Sequence, residues 1–317
     1  MGYLLLLFAG FVPLIIGANL LVDNASSLAK RLNIPAMVIG LTIVGFGTSA
    51  PELVVNLFAS FEKNSDLALG NIVGSNIFNI LGILGISAIV YPLAIKKNTT
   101  WIEIPLCLLS AVIIIMLAND KLIDKMNYSL ISRIDGCILL LFFLIFLAYN
   151  ITLLKSEQYN DEILVKDKPV FKSVFLILIG LVLLIAGGRI IVVSAVKVAS
   201  AIGISQRVIA LTIVSIGTSL PELATSFIAA RKKNVDIAIG NIVGSNIFNA
   251  FFILGISAVI HPVSLLPLSN FDMILNIFAS LILFLFIFTG KGRRIERREG
   301  ILFLLVYIIY IGFLIIL

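Results

Sequence analysis

Residues 41–80 of this chain return as residues 211–250, at a constant offset of 170 residues and without a gap. The first copy reads LTIVGFGTSAPELVVNLFASFEKNSDLALGNIVGSNIFNI and the second LTIVSIGTSLPELATSFIAARKKNVDIAIGNIVGSNIFNA; 25 of the 40 positions are identical. Each copy places one acid, Glu52 or Glu222, inside an otherwise apolar stretch. A carboxylate held away from water is costly unless it meets a partner, so an acid there marks a functional site. Two acids at corresponding positions point to one shared cation site where two halves of the chain meet.

The surrounding sequence fixes the medium. Of the residues, 60% are hydrophobic and only 13% are charged, with a mean hydropathy of +1.16. Apolar runs near 20 residues recur, enough for a helix to cross a hydrocarbon layer of ~30 Å. A β-barrel would show short alternating segments instead. The reading is an all-α membrane protein. The first apolar segment has no basic residues ahead of it and no cleavage site, so it reads as a retained span. Cys107 and Cys137 form no ligand motif and read as small buried side chains. The net charge of +6 resides in short loops, which fits orientation in a membrane and not nucleic-acid binding.

Ten spans are expected, at roughly 3–22, 35–60, 67–92, 101–118, 135–154, 173–196, 206–230, 237–261, 270–290 and 300–317. The polar segment 155–172 divides them into two five-helix repeats, 1–154 and 173–317. Five is odd, so the second repeat enters from the opposite face and is inverted. The loops then carry sixteen Lys and Arg on one face and six on the other. The positive-inside rule makes 155–172 a cytoplasmic linker and puts both termini outside the cytoplasm, in a multi-pass protein of the cell membrane. Glu103, Asp135 and Asp272 sit near span starts, where a carboxylate suits a helix N-terminus and reaches the interface. On this reading only Glu52 and Glu222 are deep.

Pro51 and Pro221 interrupt their spans. Proline gives no N–H to the carbonyl four residues back, here Gly47 or Gly217, and its ring clashes with it. Such a break is tolerated inside a membrane only where it is buried or lines a cavity. Thr48 and Ser49 precede Glu52 by four and three residues, which on a helix is one face; Thr218, Ser219 and Glu222 repeat the spacing. Ser75 and Asn79, and Ser245 and Asn249, are four apart in the next span. The glycines among them let neighbouring backbones approach closely. The set holds oxygen donors and no Cys or His, which suits hard cations and argues against Zn²⁺ or Cu⁺. Two carboxylates balance one Ca²⁺, or equally several Na⁺ or two protons. Flexible coordination favours Ca²⁺ over Mg²⁺.

The segments GTSAPE (47–52) and GTSLPE (217–222), each followed by GNIVGSNIFN (70–79 and 240–249), resemble the α-repeats of the cation/Ca²⁺ antiporter superfamily, in particular its prokaryotic Na⁺/Ca²⁺ exchanger-like branch. The resemblance implies two inverted five-helix repeats whose second, third, seventh and eighth spans surround the ions. Spans one and six would be long, tilted helices that slide across this core. It implies that Glu52 and Glu222 bind Ca²⁺ with the backbone carbonyls of Thr48 and Thr218. It further implies that Ser49, Ser75, Ser219 and Ser245, with the Gly45 and Ser215 carbonyls, form flanking Na⁺ sites, and that Asn79 and Asn249 complete the centre. Some members carry an Asp at one of the two central amide positions; Asn at both removes a titratable group and disfavours K⁺ co-transport. Gly45 and Ser215 stand where alanines are common. The central loop is too short for a Ca²⁺-sensing domain.

The expected activity is Na⁺/Ca²⁺ antiport by alternating access, electrogenic if three Na⁺ trade for one Ca²⁺. H⁺/Ca²⁺ antiport is the alternative, because protonated glutamates could replace bound Na⁺. A cation channel would use glutamates in a ring, which two acids do not form. An enzyme is not expected: the only histidine, His261, ends a span with no nucleophile motif nearby. The expected partners are Ca²⁺, Na⁺ or H⁺, and membrane lipid. No cofactor, nucleic acid or obligate protein partner is called for.

Overall fold

The computed structural model describes residues 2–123, 125–156, 168–201, 215–265, 269–289 and 292–316. Its long elements are helices. In chain order these are α1 (Gly2–Leu32), α2 (Ala36–Thr48), α3 (Ala50–Phe61), α4 (Ser65–Val90), α5 (Thr99–Leu117), α6 (Arg133–Ser156) and α7 (Val170–Ala201). Then follow α8 (Ser215–Thr218), α9 (Leu220–Arg231), α10 (Val235–Ile260), α11 (Ser269–Phe286) and α12 (Arg297–Ile316). Among the described residues seven helices are long and apolar enough to cross a membrane, or eight if the bent pair α2–α3 counts as one span. The chain is therefore an all-helical, multi-pass integral membrane protein. Two of the ten expected spans fall outside that count. The one expected at 206–230 begins outside the described residues, and α12 is not among the seven.

Local sequence sets the helix ends in both copies alike. Asn64 caps α4 by accepting from the Leu67 N–H, and Asn234 caps α10 by accepting from the Ile237 N–H. The preceding Lys63 and Lys233 take φ of 57° and 61°, the left-handed residue that closes each turn. α1 runs about ten residues beyond the span expected at 3–22, because its polar end is buried and partnered. Asn24 accepts from the Lys168 ammonium, and Ser26 accepts from the Asn234 amide.

Burial ranks the helices. The most apolar windows of α4 and α10 are each 83% buried, against 28–33% for α1, α6, α7 and α11. α4 and α10 thus form the centre, and the others wrap them with apolar side chains such as Leu5, Phe8, Phe171 and Ile309 left facing outward. In water that surface would be prohibitive; against lipid tails it costs nothing.

Packing joins the two copies more than it separates them. α1 lies along α7 through glycines: a Cβ on Gly17 would sit 2.6 Å from the Gly180 carbonyl oxygen, and one on Gly187 2.7 Å from the Leu14 nitrogen. No side chain fits there, so the two backbones touch. The same device recurs where α6 meets α10 at Gly136 and Gly255, and where α12 meets α4 at Gly300 and Gly85. Two short antiparallel pairings also link the copies: β1 (Leu93–Ala94) with β4 (Arg294–Ile295), and β2 (Leu130–Ile131) with β3 (Val263–Ser264).

Two expectations are corrected. Glu103 does not reach an interface: it is buried, and its carboxylate accepts the Tyr149 hydroxyl across the α5–α6 contact. The adjacent span supplies the partner that position along the chain did not reveal. Cys107 is buried as expected, but Cys137 is exposed on the outer face of α6. A small thiol pointing at lipid needs no burial in protein.

Candidate cation site

The break at Pro51 is real. α2 and α3 meet at 47°, with Ser49 between them at φ −80°, ψ 8°. The second copy repeats it at Ser219, with φ −88° and ψ 11°, between α8 and α9. Each break turns the start of a new helix inward, and each acid lies in that helix's first turn. A carboxylate near a helix N-terminus meets unpaired N–H groups and a favourable dipole. Glu52 and Glu222 are both 0% exposed.

The two acids share a network that crosses between the copies reciprocally. Ser49 donates to Glu222 Oε1 at 2.8 Å, and Ser219 donates to Glu52 Oε1 at 2.8 Å. Ser75 and Ser245 each lie 3.5 Å from the Oε1 of the acid in their own copy. The Ser219 and Ser75 hydroxyls lie 3.1 Å apart, and Ser245 donates to the Gly45 carbonyl at 3.1 Å. Every contact uses Oε1; Oε2 of both acids is buried and has no hydrogen-bond partner.

The amides complete the pattern. Asn79 and Asn249 occupy matching places in the π-helical segments Phe78–Leu84 and Phe248–Ile253. Such a widened turn displaces the helix locally and recurs at functional sites. Asn79 donates to Asn246 Oδ1 at 2.9 Å, and Asn249 donates to Asn76 Oδ1 at 3.1 Å. Their own Oδ1 atoms are buried without a partner. Four buried acceptor oxygens, two charged and two neutral, thus come from four helices at the heart of the molecule. Buried acceptors are almost always satisfied, so four left unmet in one symmetric set call for a donor or a cation.

All but one of the remaining expected site residues are placed here too. Thr48 is buried and Thr218 half-buried, each one residue before the break. The Gly45 carbonyl faces Ser245 and the Thr48 hydroxyl. Ser215 opens α8, and its side chain lies outside the described residues. Among the described residues no group of three or more His, Cys, Asp or Glu surrounds a common point. The site would therefore rely on two carboxylates and neutral oxygens.

Four amides in the repeat received no role from sequence: Asn71, Asn241, Asn76 and Asn246. Asn76 and Asn246 each donate to the other's backbone carbonyl, at 3.2 and 3.3 Å, and tie α4 to α10 at their crossing. Cys107 of α5 backs Asn246 at 3.7 Å. The available signal was a polar side chain, identical in both copies, inside an apolar span.

A membrane protein with paired acids and hydroxyls buried at its centre fits the class of ion transporters. Comparison with known proteins makes this specific. The family model described as sodium/calcium exchanger protein matches residues 2–152 and 172–316. The chain is 30% identical to sodium/calcium exchanger MaX1 of Methanosarcina acetivorans over 97% of both proteins. It is 38% identical to inner membrane protein YrbG of Escherichia coli K12, over 83% of this chain and 82% of that one. A solved structure of the sodium-calcium exchanger NCX_Mj, soaked with 10 mM Na⁺ and zero Ca²⁺, superposes with a TM-score of 0.83 at 33% identity, covering 98% of this chain and 97% of that one. The chain belongs to the sodium/calcium exchanger family, and so to the cation/Ca²⁺ antiporters.

Proposed function

We propose that the protein exchanges Na⁺ for Ca²⁺ across the cell membrane, with Glu52 and Glu222 holding the divalent ion in turn with Na⁺. The observation that carries this reading is the set of four unpartnered buried oxygens, Glu52 Oε2, Glu222 Oε2, Asn79 Oδ1 and Asn249 Oδ1. Two carboxylates balance the charge of one Ca²⁺, and neutral amide, hydroxyl and carbonyl oxygens complete the six to eight donors that Ca²⁺ accepts. With the ion absent the two charges repel, so the site favours occupancy by Ca²⁺ or by several Na⁺. That alternation is what couples the two fluxes.

In this reading the Thr48 and Thr218 carbonyls assist the acids. Ser49, Ser75, Ser219 and Ser245, with the Gly45 and Ser215 carbonyls, form the flanking Na⁺ positions. The chain forms ten spans as two inverted repeats, 1–154 and 173–317, joined by the cytoplasmic linker 155–172, with both termini outside the cytoplasm. Inversion gives each face of the membrane an equivalent route to one central site. Three Na⁺ for one Ca²⁺ would move one net charge per cycle, worth about 2.3 kcal/mol per 100 mV.

The test is Ca²⁺ uptake into sealed proteoliposomes loaded with Na⁺. Uptake that requires the outward Na⁺ gradient supports the reading. Uptake indifferent to Na⁺ but driven by a pH gradient assigns H⁺/Ca²⁺ exchange instead. Flux that needs no counter-ion and rises linearly with concentration assigns a channel.

A further inference from the structure

We propose that Asn71 and Asn241 are positioning residues: each straps the break of one copy to the break of the other and holds the two acids at the spacing a single divalent ion requires. Asn241, on α10, is fully buried and uses both ends of its amide. Its Oδ1 accepts the Thr48 hydroxyl at 2.9 Å, from the last residue of α2 in the first copy. Its Nδ2 donates to the main-chain carbonyl of Glu222 at 3.2 Å and to Ser226 Oγ at 2.8 Å, both on α9 in the second copy. Asn71, on α4, does the reverse. It accepts the Thr218 hydroxyl at 3.4 Å and donates to the Glu52 carbonyl at 3.4 Å and to Asn56 Oδ1 at 2.6 Å.

Chemistry explains why the position is an amide in both copies. A strap between a hydroxyl donor and a carbonyl acceptor needs one acceptor and one donor on a single rigid plane, and Asn offers both. Aspartate would keep the acceptor but add a third charge beside two carboxylates; a hydroxyl is too short to reach both helices. Asn241 spends its oxygen on Thr48, so it works through other groups and not on the ion. Thr48 directly precedes Ser49, which donates to the Glu222 carboxylate, so fixing the Thr48 hydroxyl fixes the approach of that serine to the acid. The strap also resists the repulsion between the two carboxylates, which otherwise drives the copies apart when no cation is bound.

This inference rests on the proposed Ca²⁺ site, and the experiment separates the two. The full-length protein is purified with Asn241→Ala, Thr48→Val, both changes together, and Thr48→Ser. Ca²⁺ titration followed by thermal shift, and the Ca²⁺ KM and maximal rate in proteoliposomes, are measured for each. The strap predicts that Asn241→Ala and Thr48→Val each weaken apparent Ca²⁺ affinity by about 10–100-fold, the range found when a group that orients a metal ligand is removed. It predicts that the double variant is no weaker than the poorer single one, since both cut the same link. Thr48→Ser, which keeps the hydroxyl, binds Ca²⁺ more tightly than Thr48→Val. Asn241→Ala protein that loses thermal stability without Ca²⁺ yet keeps the wild-type KM overturns the strap, as does an additive double variant. Thr48→Val removes only a hydroxyl and decides the matter alone if Asn241→Ala does not fold. Wild-type protein unmoved by Ca²⁺ overturns the site reading itself, and the strap with it.

Discussion

At the residue scale the two glutamates are set apart by their place: each opens a helix at a break and accepts the hydroxyl of a serine from the other copy. Glu103 gives an oxygen to Tyr149, Asp236 pairs with Lys96, and Asp272 accepts from Tyr310. These carboxylates are partnered for structure. Glu52 and Glu222 each keep one oxygen unpaired inside the protein. Glu52→Gln and Glu222→Gln preserve shape and the Oε1 contacts but remove the charge. Each is expected to leave a folded protein whose Ca²⁺ affinity falls by more than about 100-fold, beyond the loss typical of a group behind the ligands. Ca²⁺-dependent thermal shift and vesicle uptake check this; near-normal uptake by either variant removes the basis of the shared site. Asn249→Asp adds a third acid at an atom that already lacks a partner. It is expected to change the ion preference and the pH dependence of transport while Ca²⁺ binding survives, read as uptake across a pH series in Na⁺ and in K⁺. Profiles that overlay the wild type would remove Asn249 from the centre.

At the scale of elements, what matters is how closely helices meet. Inside a membrane apolar burial no longer drives association, and packing and hydrogen bonds decide it. The α1–α7 pair depends on Gly10, Gly17, Gly180 and Gly187, where backbones touch. Gly17→Val forces a side chain into the Gly180 carbonyl, and overpacking of that kind costs about 1–3 kcal/mol. The expected result is a lower melting temperature in detergent, with the acids of the site untouched. The α10–α2 contact is tighter, since a Cβ on Gly244 would lie 2.5 Å from the Leu41 carbonyl oxygen. Gly244→Val is therefore expected to displace Ser245 from Gly45 and to reduce transport as well as stability. A variant as active and as stable as wild type would show that this crossing is loose.

For the whole molecule the reciprocal network sets the logic. Each acid is served by a serine from the other copy, so neither half can form the site alone. If three Na⁺ exchange for one Ca²⁺, each turnover moves one charge, and a potassium-diffusion potential imposed across the vesicle should accelerate or slow uptake according to its sign. A rate independent of potential would require an electroneutral stoichiometry. The orientation is testable separately: single cysteines placed near either terminus, in a background lacking Cys107 and Cys137, should label from outside intact cells with an impermeant reagent. Labelling only after lysis would reverse the assignment.

The sequence alone determined the medium, the repeat, the paired acids and the two proline breaks, because each is a local property: hydropathy of a window, identity at a fixed offset, a ring with no N–H. It also marked most of the oxygens now seen around the acids, since i, i+3 and i, i+4 spacing is enough to put them on one helix face. It did not disclose that Ser49 serves Glu222 and Ser219 serves Glu52, that four amides knit α4 to α10 and to both breaks, or that Glu103 is buried against Tyr149. Those facts depend on which helices are neighbours. Helices in lipid choose neighbours by the fit of backbone on backbone at a few glycines, and that fit exists only once the chain is folded.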